Sequence, residues 1–454
     1  MAVKVLKFGS SALGDAEACR RAAAIARAEL PAGGLLLISC LKGTGEALLE
    51  SLAAAARGQL PEALTRLQRI LAHHRTVAQE LGLLERILPS WESEFSRLEA
   101  LLEGIALVGE ATTRTRDAAL AIGETLAARL LDHILLHERF PTEFRDLREV
   151  LRTKGRHGHA RPDLAALGAA AEPWRTALQG GARYLSQASV GQGPDGTTTN
   201  LGRGGSDLTA TLLGEALGAE EVQIWTDVDG ILSADPSLVP EARPIPAMSL
   251  AEAAALSAFG DKVLHADSLA PAARAGFRLV VANTRRPSAS RTTILPESPA
   301  RARGEVTSVA YKEGVAALRF PPGFSLEELL TLALRLEDAG AHRYGLLSNP
   351  EGALLVLRTE GPAAETVLTE LADLGITVER GWAVVALVGE GLRLDPGAPA
   401  RLLAPLVGEC LGAVLGGSSG ASVAFLVPET RLAKLIPSLH RCFILDGACA
   451  APGA

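Results

Sequence analysis

The chain has 454 residues, a length that suits about three domains at roughly 150 residues each, and its 48% hydrophobic content is ample for large buried cores, so disorder is excluded as the main state. With 45 Lys and Arg against 52 Asp and Glu the net charge is −7, which offers no broad attraction for nucleic acid or an anionic membrane. Only 4% of residues are aromatic, so stacking platforms for bases are scarce and the core must be mostly Leu, Val, Ile and Ala, as suits an α/β protein.

Residues 3–9 read as a short strand ending at Gly9, Ser10 and Ser11, followed by a helix over 16–30 and a second buried strand over 35–39. Residues 46–136 are helical in pattern: Leu60, Leu64, Leu67 and Leu71 share one stripe, and Leu98, Leu101, Leu102 and Ile105 another. Residues 164–178 read as a further helix, and glycines return at 180–181 and across 191–205. Residues 222–225 form a strand ending in Thr226-Asp227, and 279–282 a later buried strand. Strands alternating with helices predict a parallel or mixed sheet covered on both faces.

Residues 287–303 are rich in Pro, Ser, Arg and Thr and read as a surface connector, which places the domain boundary near 300. Shorter alternations follow: strand 315–320, helix 326–339, strands 344–347 and 354–357, helix 363–374, then strand 383–388, helix 400–407, strand 422–427 and helix 429–442. These predict two βαββαβ modules in tandem, at 301–380 and 381–454. The five cysteines, Cys19, Cys40, Cys410, Cys442 and Cys449, show neither CxxC spacing nor the density of a disulfide scaffold. The opening residues lack an apolar leader, and no run reaches about 18 apolar residues, so the expected location is the cytoplasm.

Residues 196–207, GTTTNLGRGGSD, enter a helix that runs to about Leu217. Glycines let backbone N–H groups approach an anion, a helix N-terminus adds partial positive charge and hydroxyls donate further bonds, so this is an anion cradle. Arg203 supplies a planar fork for a carboxylate or phosphate, and Asp207 either orients it or holds Mg2+. The bland alternative is a glycine-rich turn with Ser206 or Asp207 as helix cap. In residues 225–231, WTDVDGI, two acids follow a strand, where ligands bind in open α/β sheets, although Asx turns use the same residues. Lys7, at the end of the first strand, is placed to neutralise charge on a transferring phosphoryl group.

Lys7-Phe8-Gly9, Ser39-Cys40, Gly123-Glu124, residues 197–207, residues 225–231 and FGDKVLH over 259–265 resemble, in order, the motifs of aspartokinases in the amino-acid kinase superfamily. The tail, including residues 306–310, 385–391 and 421–427, is similar to the paired ACT regulatory modules of that family, and the helical insert 46–122 resembles the monofunctional, lysine-sensitive type. The resemblance implies a three-layer kinase sandwich with a mostly parallel sheet over 1–300, followed by two ACT modules, with a strand near 306–310 joining the second. It also implies phosphorylation of the β-carboxylate of L-aspartate by ATP with Mg2+, with no metal held by the protein itself. Lys7 would stabilise the transferring group and Asp207 organise the centre. Ser39, Thr44, Glu124, Arg203, Gly204 and Ser206 would bind substrate, Glu124 at its amino group and Arg203 at a carboxylate. Gly9, Ser10, Thr226, Asp227 and Lys262, together with Lys7, would line the nucleotide site. An amino-acid effector, lysine or threonine, and a homodimer or higher homo-oligomer are implied as partners.

The sequence departs from the family pattern at Ser10, where glycine is usual; at Gly45-Glu46, where Thr-Asn is common; and at Ser189 and Asn200, where phenylalanine and threonine are usual. Ser237 and Ala266 replace an arginine and a proline. Two other readings follow from these changes: a kinase of the same fold with another carboxylate acceptor, and an amino-acid sensor subunit that has lost turnover.

Overall fold

Val3–Phe8 is apolar except for Lys4 and Lys7 and has a parallel neighbour on each side, Gly34–Ile38 and Ala219–Thr226. A strand covered on both faces needs a nearly continuous apolar run, which is how this segment and the fully buried Gly34–Ile38 read. The sheet runs in the order Thr292–Leu295, Arg278–Asn283, Ala219–Thr226, Val3–Phe8, Gly34–Ile38, Tyr184–Gln187, Glu143–Phe144, with Thr292–Leu295 antiparallel to its neighbour and the other pairs parallel. This is the computed structural model of the chain; it describes residues 1–446 apart from 159, 203, 260–263, 298–304, 360, 393–397, 407, 410 and 417–419. Its two compact units are Met1–Ile231 with Leu264–Pro296, and Leu232–Val263 with Glu297–Ala454.

In the first unit the helical stretch is four helices, Thr44–Ala56, Leu60–Glu80, Leu84–Val108 and Thr113–His137. Gly58, Gly82 and Gly109 lie between them at φ of 75°, 70° and 77°, a conformation in which only glycine is unstrained. The helices close on one core through Leu67, Leu71, Trp91, Leu98, Leu102, Leu126 and Leu130, and Trp91 Nε1 donates to the Leu126 carbonyl at 3.2 Å. His74 lies edge-on to Trp91, and burial pushes its imidazole down to about 4. The helix expected over 164–178 is instead two, Leu164–Ala170 and Glu172–Gln179. Pro173 is the reason: it has no N–H to continue a helix and is tolerated in the first turn of a new one.

At the end of the sheet where Val3–Phe8 begins, Glu29 accepts from Lys4 Nζ at 3.2 Å, Gln223 Nε2 at 3.1 Å and Arg291 Nη2 at 2.8 Å. Burial opposes ionisation of Glu29, but these bonds, Arg291 foremost, bring its carboxyl down to about 2. This cluster ties two neighbouring strands to the last residue of the Ala16–Glu29 helix and to Arg291, just before Thr292–Leu295.

The second unit holds one antiparallel sheet in the order Ala341–Asn349, Gly352–Thr359, Ser308–Phe320, Thr377–Val388, Ser422–Pro428, Ala413–Gly416. Two apolar cores lie along it. One gathers Leu318, Phe320, Leu329, Leu336, Leu355 and Leu368; the other gathers Val309, Val385, Leu387, Phe425, Leu435 and Leu439. The βαββαβ pattern is present, but its halves share strands. Ser308–Phe320 spans 13 residues with a register shift between Lys312 and Val315; Ser308 to Lys312 pair with Val388 to Val384, while Val315 to Phe320 pair with Arg358 to Ala353. The helix expected over 429–442 is a 3-10 turn, Glu429–Arg431, then Leu432–His440, then one wide π turn, Arg441–Leu445.

Candidate active site

The carboxyl ends of the parallel strands gather the polar residues of the first unit, the position at which open α/β sheets bind ligands. In Val3–Phe8, Lys7 pairs with Leu37 on one side and Ile224 on the other, and the residue is buried. Lys7 Nζ donates to Asp207 Oδ1 at 2.5 Å. Asp207 lies in the first turn of Gly205–Leu217, and its helix is capped by Gly204 in the left-handed conformation, with no side-chain cap. Neither Ser206 nor Asp207 is therefore the cap; Ser206 is half-buried, and the Asp207 carboxylate is spent on Lys7.

Gly9 follows the strand with its N–H on the Trp225 carbonyl at 3.2 Å. A β-carbon there would come 3.1 Å from Lys7 Nζ, so Gly9 leaves room for the ammonium. Ser10 begins the short 3-10 turn Ser10–Ala12, and Arg139 is the one non-glycine residue at positive φ among the described residues. The backbone at position 10 thus has no need of glycine. Ser39 is 7% exposed and donates its N–H to the Phe8 carbonyl at 3.1 Å, which sets it level with Gly9. Thr44 opens its helix after Gly43, and Thr44 Cγ2 is 3.3 Å from where a β-carbon on Gly123 would be. Gly123 therefore brings the helix carrying Glu124 against Thr44 and Cys40. Burial, reinforced by Glu124, pushes the Cys40 thiol up to about 12.

Glu124, 6% exposed, accepts from the backbone N–H groups of Ala188 at 3.1 Å and Ser189 at 2.9 Å through Oε2, and from Ser189 Oγ at 2.6 Å through Oε1. Burial raises its carboxyl above the ordinary range, while these bonds and the charge of Lys7 pull it back. Gly204 has φ of 75° and lies against His265, whose Cβ would be 3.0 Å from an added β-carbon.

On the other flank, Thr226 Oγ1 lies 3.4 Å from Ser11 Oγ, and its carbonyl accepts from Thr284 through both N–H and Oγ1, at 2.8 and 3.0 Å. Asp227 is exposed. Asp229 accepts from Asn283 Nδ2 at 2.6 Å and pairs with Arg286, so of the two acids after the strand one shapes the loop and one faces solvent. Arg203 and Lys262 lie outside the described residues. Sequence reasoning missed Asn283 and Thr284, although polar residues directly after the apolar run 279–282 were the available signal.

Residues 2–283 match the Amino acid kinase family. Over 457 residues the chain is 31% identical to the lysine-sensitive aspartokinase 3 of Escherichia coli (strain K12), covering 96% of this chain and 98% of that one. The chain belongs to the amino acid kinase family, among the aspartokinases. Similar solved structures include E. coli aspartokinase III in complex with aspartate and ADP (R-state), with a TM-score of 0.82 at 29% identity over 96% of this chain and 99% of that one. The same E. coli protein in complex with lysine and aspartate (T-state) gives 0.79 at 28% identity over 97% and 99%. This aspartokinase thus follows its relatives through both units.

Proposed function

We propose that this chain transfers the terminal phosphoryl group of ATP to the β-carboxylate of L-aspartate, forming 4-phospho-L-aspartate and ADP. A carboxylate oxygen attacks the γ-phosphorus while the bond from that phosphorus to the β,γ-bridging oxygen breaks, and the electron pair leaves on ADP. Such a transfer asks the protein for positioning and charge neutralisation more than for covalent chemistry. The observation that carries the reading is the buried Lys7 ammonium, held on Asp207 at the carboxyl edge of the sheet beside a glycine turn at a helix N-terminus.

In this reading Lys7 faces the transferring group and Asp207 fixes where its ammonium points. Gly9, Ser10, Thr226, Asp227 and Lys262 serve the nucleotide. Ser39, Thr44, Glu124, Arg203, Gly204 and Ser206 serve the amino acid, with Glu124 toward its ammonium and Arg203 toward a carboxylate. Mg2+ bound with ATP would supply charge neutralisation at the phosphates, and the exposed Asp227 is a carboxylate available to hold it. The second unit provides amino-acid feedback, with lysine the first candidate effector and threonine the second. The proposed assembly is a homodimer or larger homo-oligomer in the cytoplasm. Among the described residues no helix is long and apolar enough to cross a membrane.

The test is ADP release with Mg2+ and ATP across a panel of amino acids. Aspartate alone should support turnover, and Arg203→Ala should lower kcat/KM for aspartate by a factor on the order of 10² to 10³. Turnover with a different acceptor, or with none, sinks the assignment in favour of an altered-acceptor kinase or a sensor.

A further inference from the structure

Three side chains in the first unit form a continuous buried polar chain: Glu124, Ser189 and Asn200, each under a tenth exposed. Ser189 Oγ donates to Glu124 Oε1 at 2.6 Å and accepts from Asn200 Nδ2 at 3.1 Å. Asn200 Oδ1 in turn accepts the N–H of Gly202 at 2.9 Å. The single hydroxyl proton of Ser189 is committed to the carboxylate, and both ends of the Asn200 amide are occupied, so the chain has one direction. It starts on the Thr113–His137 helix and ends in the glycine turn before Gly205–Leu217.

The small size of Ser189 belongs to the same arrangement. A β-carbon on Gly205 would lie 3.5 Å from Ser189 Cβ and 2.8 Å from Leu201 Cβ, so the turn closes directly over the serine. An apolar residue at 189 would leave a carboxylate oxygen and an amide N–H buried without partners, a costly outcome. Two of the positions where this chain departs from the resembled family, 189 and 200, are thus joined to each other and to Glu124.

We propose that Ser189 and Asn200 are positioning residues that lock the Glu124 carboxylate and the Gly202 turn into one register, and so set the grip on the amino-acid substrate. This rests on the aspartate kinase reading above. Neither residue reaches the Lys7–Asp207 pair directly, so their loss acts on the acceptor half of the site and spares ATP.

The test is steady-state kinetics of the full chain and its Ser189→Ala, Ser189→Thr, Asn200→Ala and Ser189→Ala/Asn200→Ala variants. Ser189→Ala is expected to raise KM for aspartate about 10-fold with KM for ATP within about 2-fold, and Ser189→Thr, which restores the hydroxyl, to stay within about 3-fold of the parent. The double variant should cost no more than the worse single, because one chain is broken only once. Additive effects, equal changes in both KM values, or a Ser189→Ala variant that behaves as the parent overturn the proposal. Should Ser189→Ala fail to fold, Asn200→Asp, which replaces the amide donor by a carboxylate oxygen, reads the same aspartate-selective rise. A parent chain that phosphorylates no aspartate sinks the functional reading alone. The link between the two residues is then read from denaturant unfolding of the same four single and double variants, where additivity overturns it and strong non-additivity supports it.

Discussion

Lys7 Nζ and Asp207 Oδ1 are 2.5 Å apart, although 200 positions separate the two residues in the chain. Lys7 is the penultimate residue of a central strand and Asp207 sits in the first turn of the helix that packs on it, so docking of that helix on the sheet brings the charges together. The Lys7 side chain is 7% exposed and that of Asp207 22%, which leaves the ammonium few alternative positions.

Lys7→Met should therefore remove phosphoryl transfer while sparing most nucleotide binding, since charge at this point matters chiefly as negative charge shifts in the transition state. A fall in kcat on the order of 10³ or more is expected, with ATP affinity by calorimetry changed less than about 10-fold. Equal losses in affinity and turnover would make Lys7 a ground-state ligand instead.

Gly9→Ala and Ser10→Gly should behave oppositely. A methyl at position 9 points at Lys7 Nζ from 3.1 Å and moves only the end of a flexible side chain, so activity should drop about 10-fold or more with the melting temperature within a few degrees of the parent. Ser10→Gly adds chain entropy in a turn that does not need it, and is expected to cost about 0.5–1 kcal/mol of stability with kcat within about 2-fold. A clear gain in activity from Ser10→Gly would show that the serine β-carbon obstructs the phosphates.

Glu29 gives an acid-stability test. Its folded carboxyl is brought down to about 2, so the stabilisation is present above the ordinary carboxyl range and is lost as pH falls through about 2. Solvent reaches this cluster and screens it, which reduces the contribution to about 1–2 kcal/mol. Glu29→Gln should be less stable than the parent at pH 7, and the gap should close between roughly pH 4.5 and 2. A gap that is constant across this range in denaturant titrations would mean that the ion pairs with Lys4 and Arg291 contribute nothing.

Much of the fold was legible because Val3–Phe8, Gly34–Ile38 and the buried stretches 222–225 and 279–282 are covered on both faces and are mostly apolar. Tyr184–Gln187 was not, since half of it is polar. Ser186 Oγ donates to the Arg145 carbonyl, and Gln187 Oε1 accepts the N–H of Leu147, partners that no local pattern reveals. The sequence offers the candidate site residues singly, but not the pairs they form. In sequence Asp207 suits either orienting Arg203 or holding a cation, whereas in the fold it pairs with Lys7, and Ser189 reads only as a departure because its partners Glu124 and Asn200 are distant in the chain or not marked by any local pattern.

Feedback is tested on the intact protein with lysine, threonine and methionine. An effector that binds one conformational state better shifts catalysis by its differential affinity, about 5- to 150-fold for a coupling of roughly 1–3 kcal/mol. Lysine is expected to inhibit within that range and to appear in calorimetry as a saturable site, with the chain at least dimeric in sedimentation. Full activity at saturating concentrations of all three amino acids would remove the regulatory reading and leave the kinase assignment standing.

The shared strand of the second unit has a consequence for synthesis. The Thr307 hydroxyl reaches the carbonyl of Val388, 81 positions later, and the Ser308 to Lys312 half of its strand has no parallel or antiparallel neighbour until that segment exists. At a ribosomal rate of roughly 5–20 residues per second, this apolar edge waits on the order of 4 to 16 seconds for its mate. A nascent chain halted near residue 380 would carry an open edge able to recruit the same edge of a neighbouring chain, so fragments cut between the two halves should accumulate as aggregates, whereas chains that extend past Val388 can seal it.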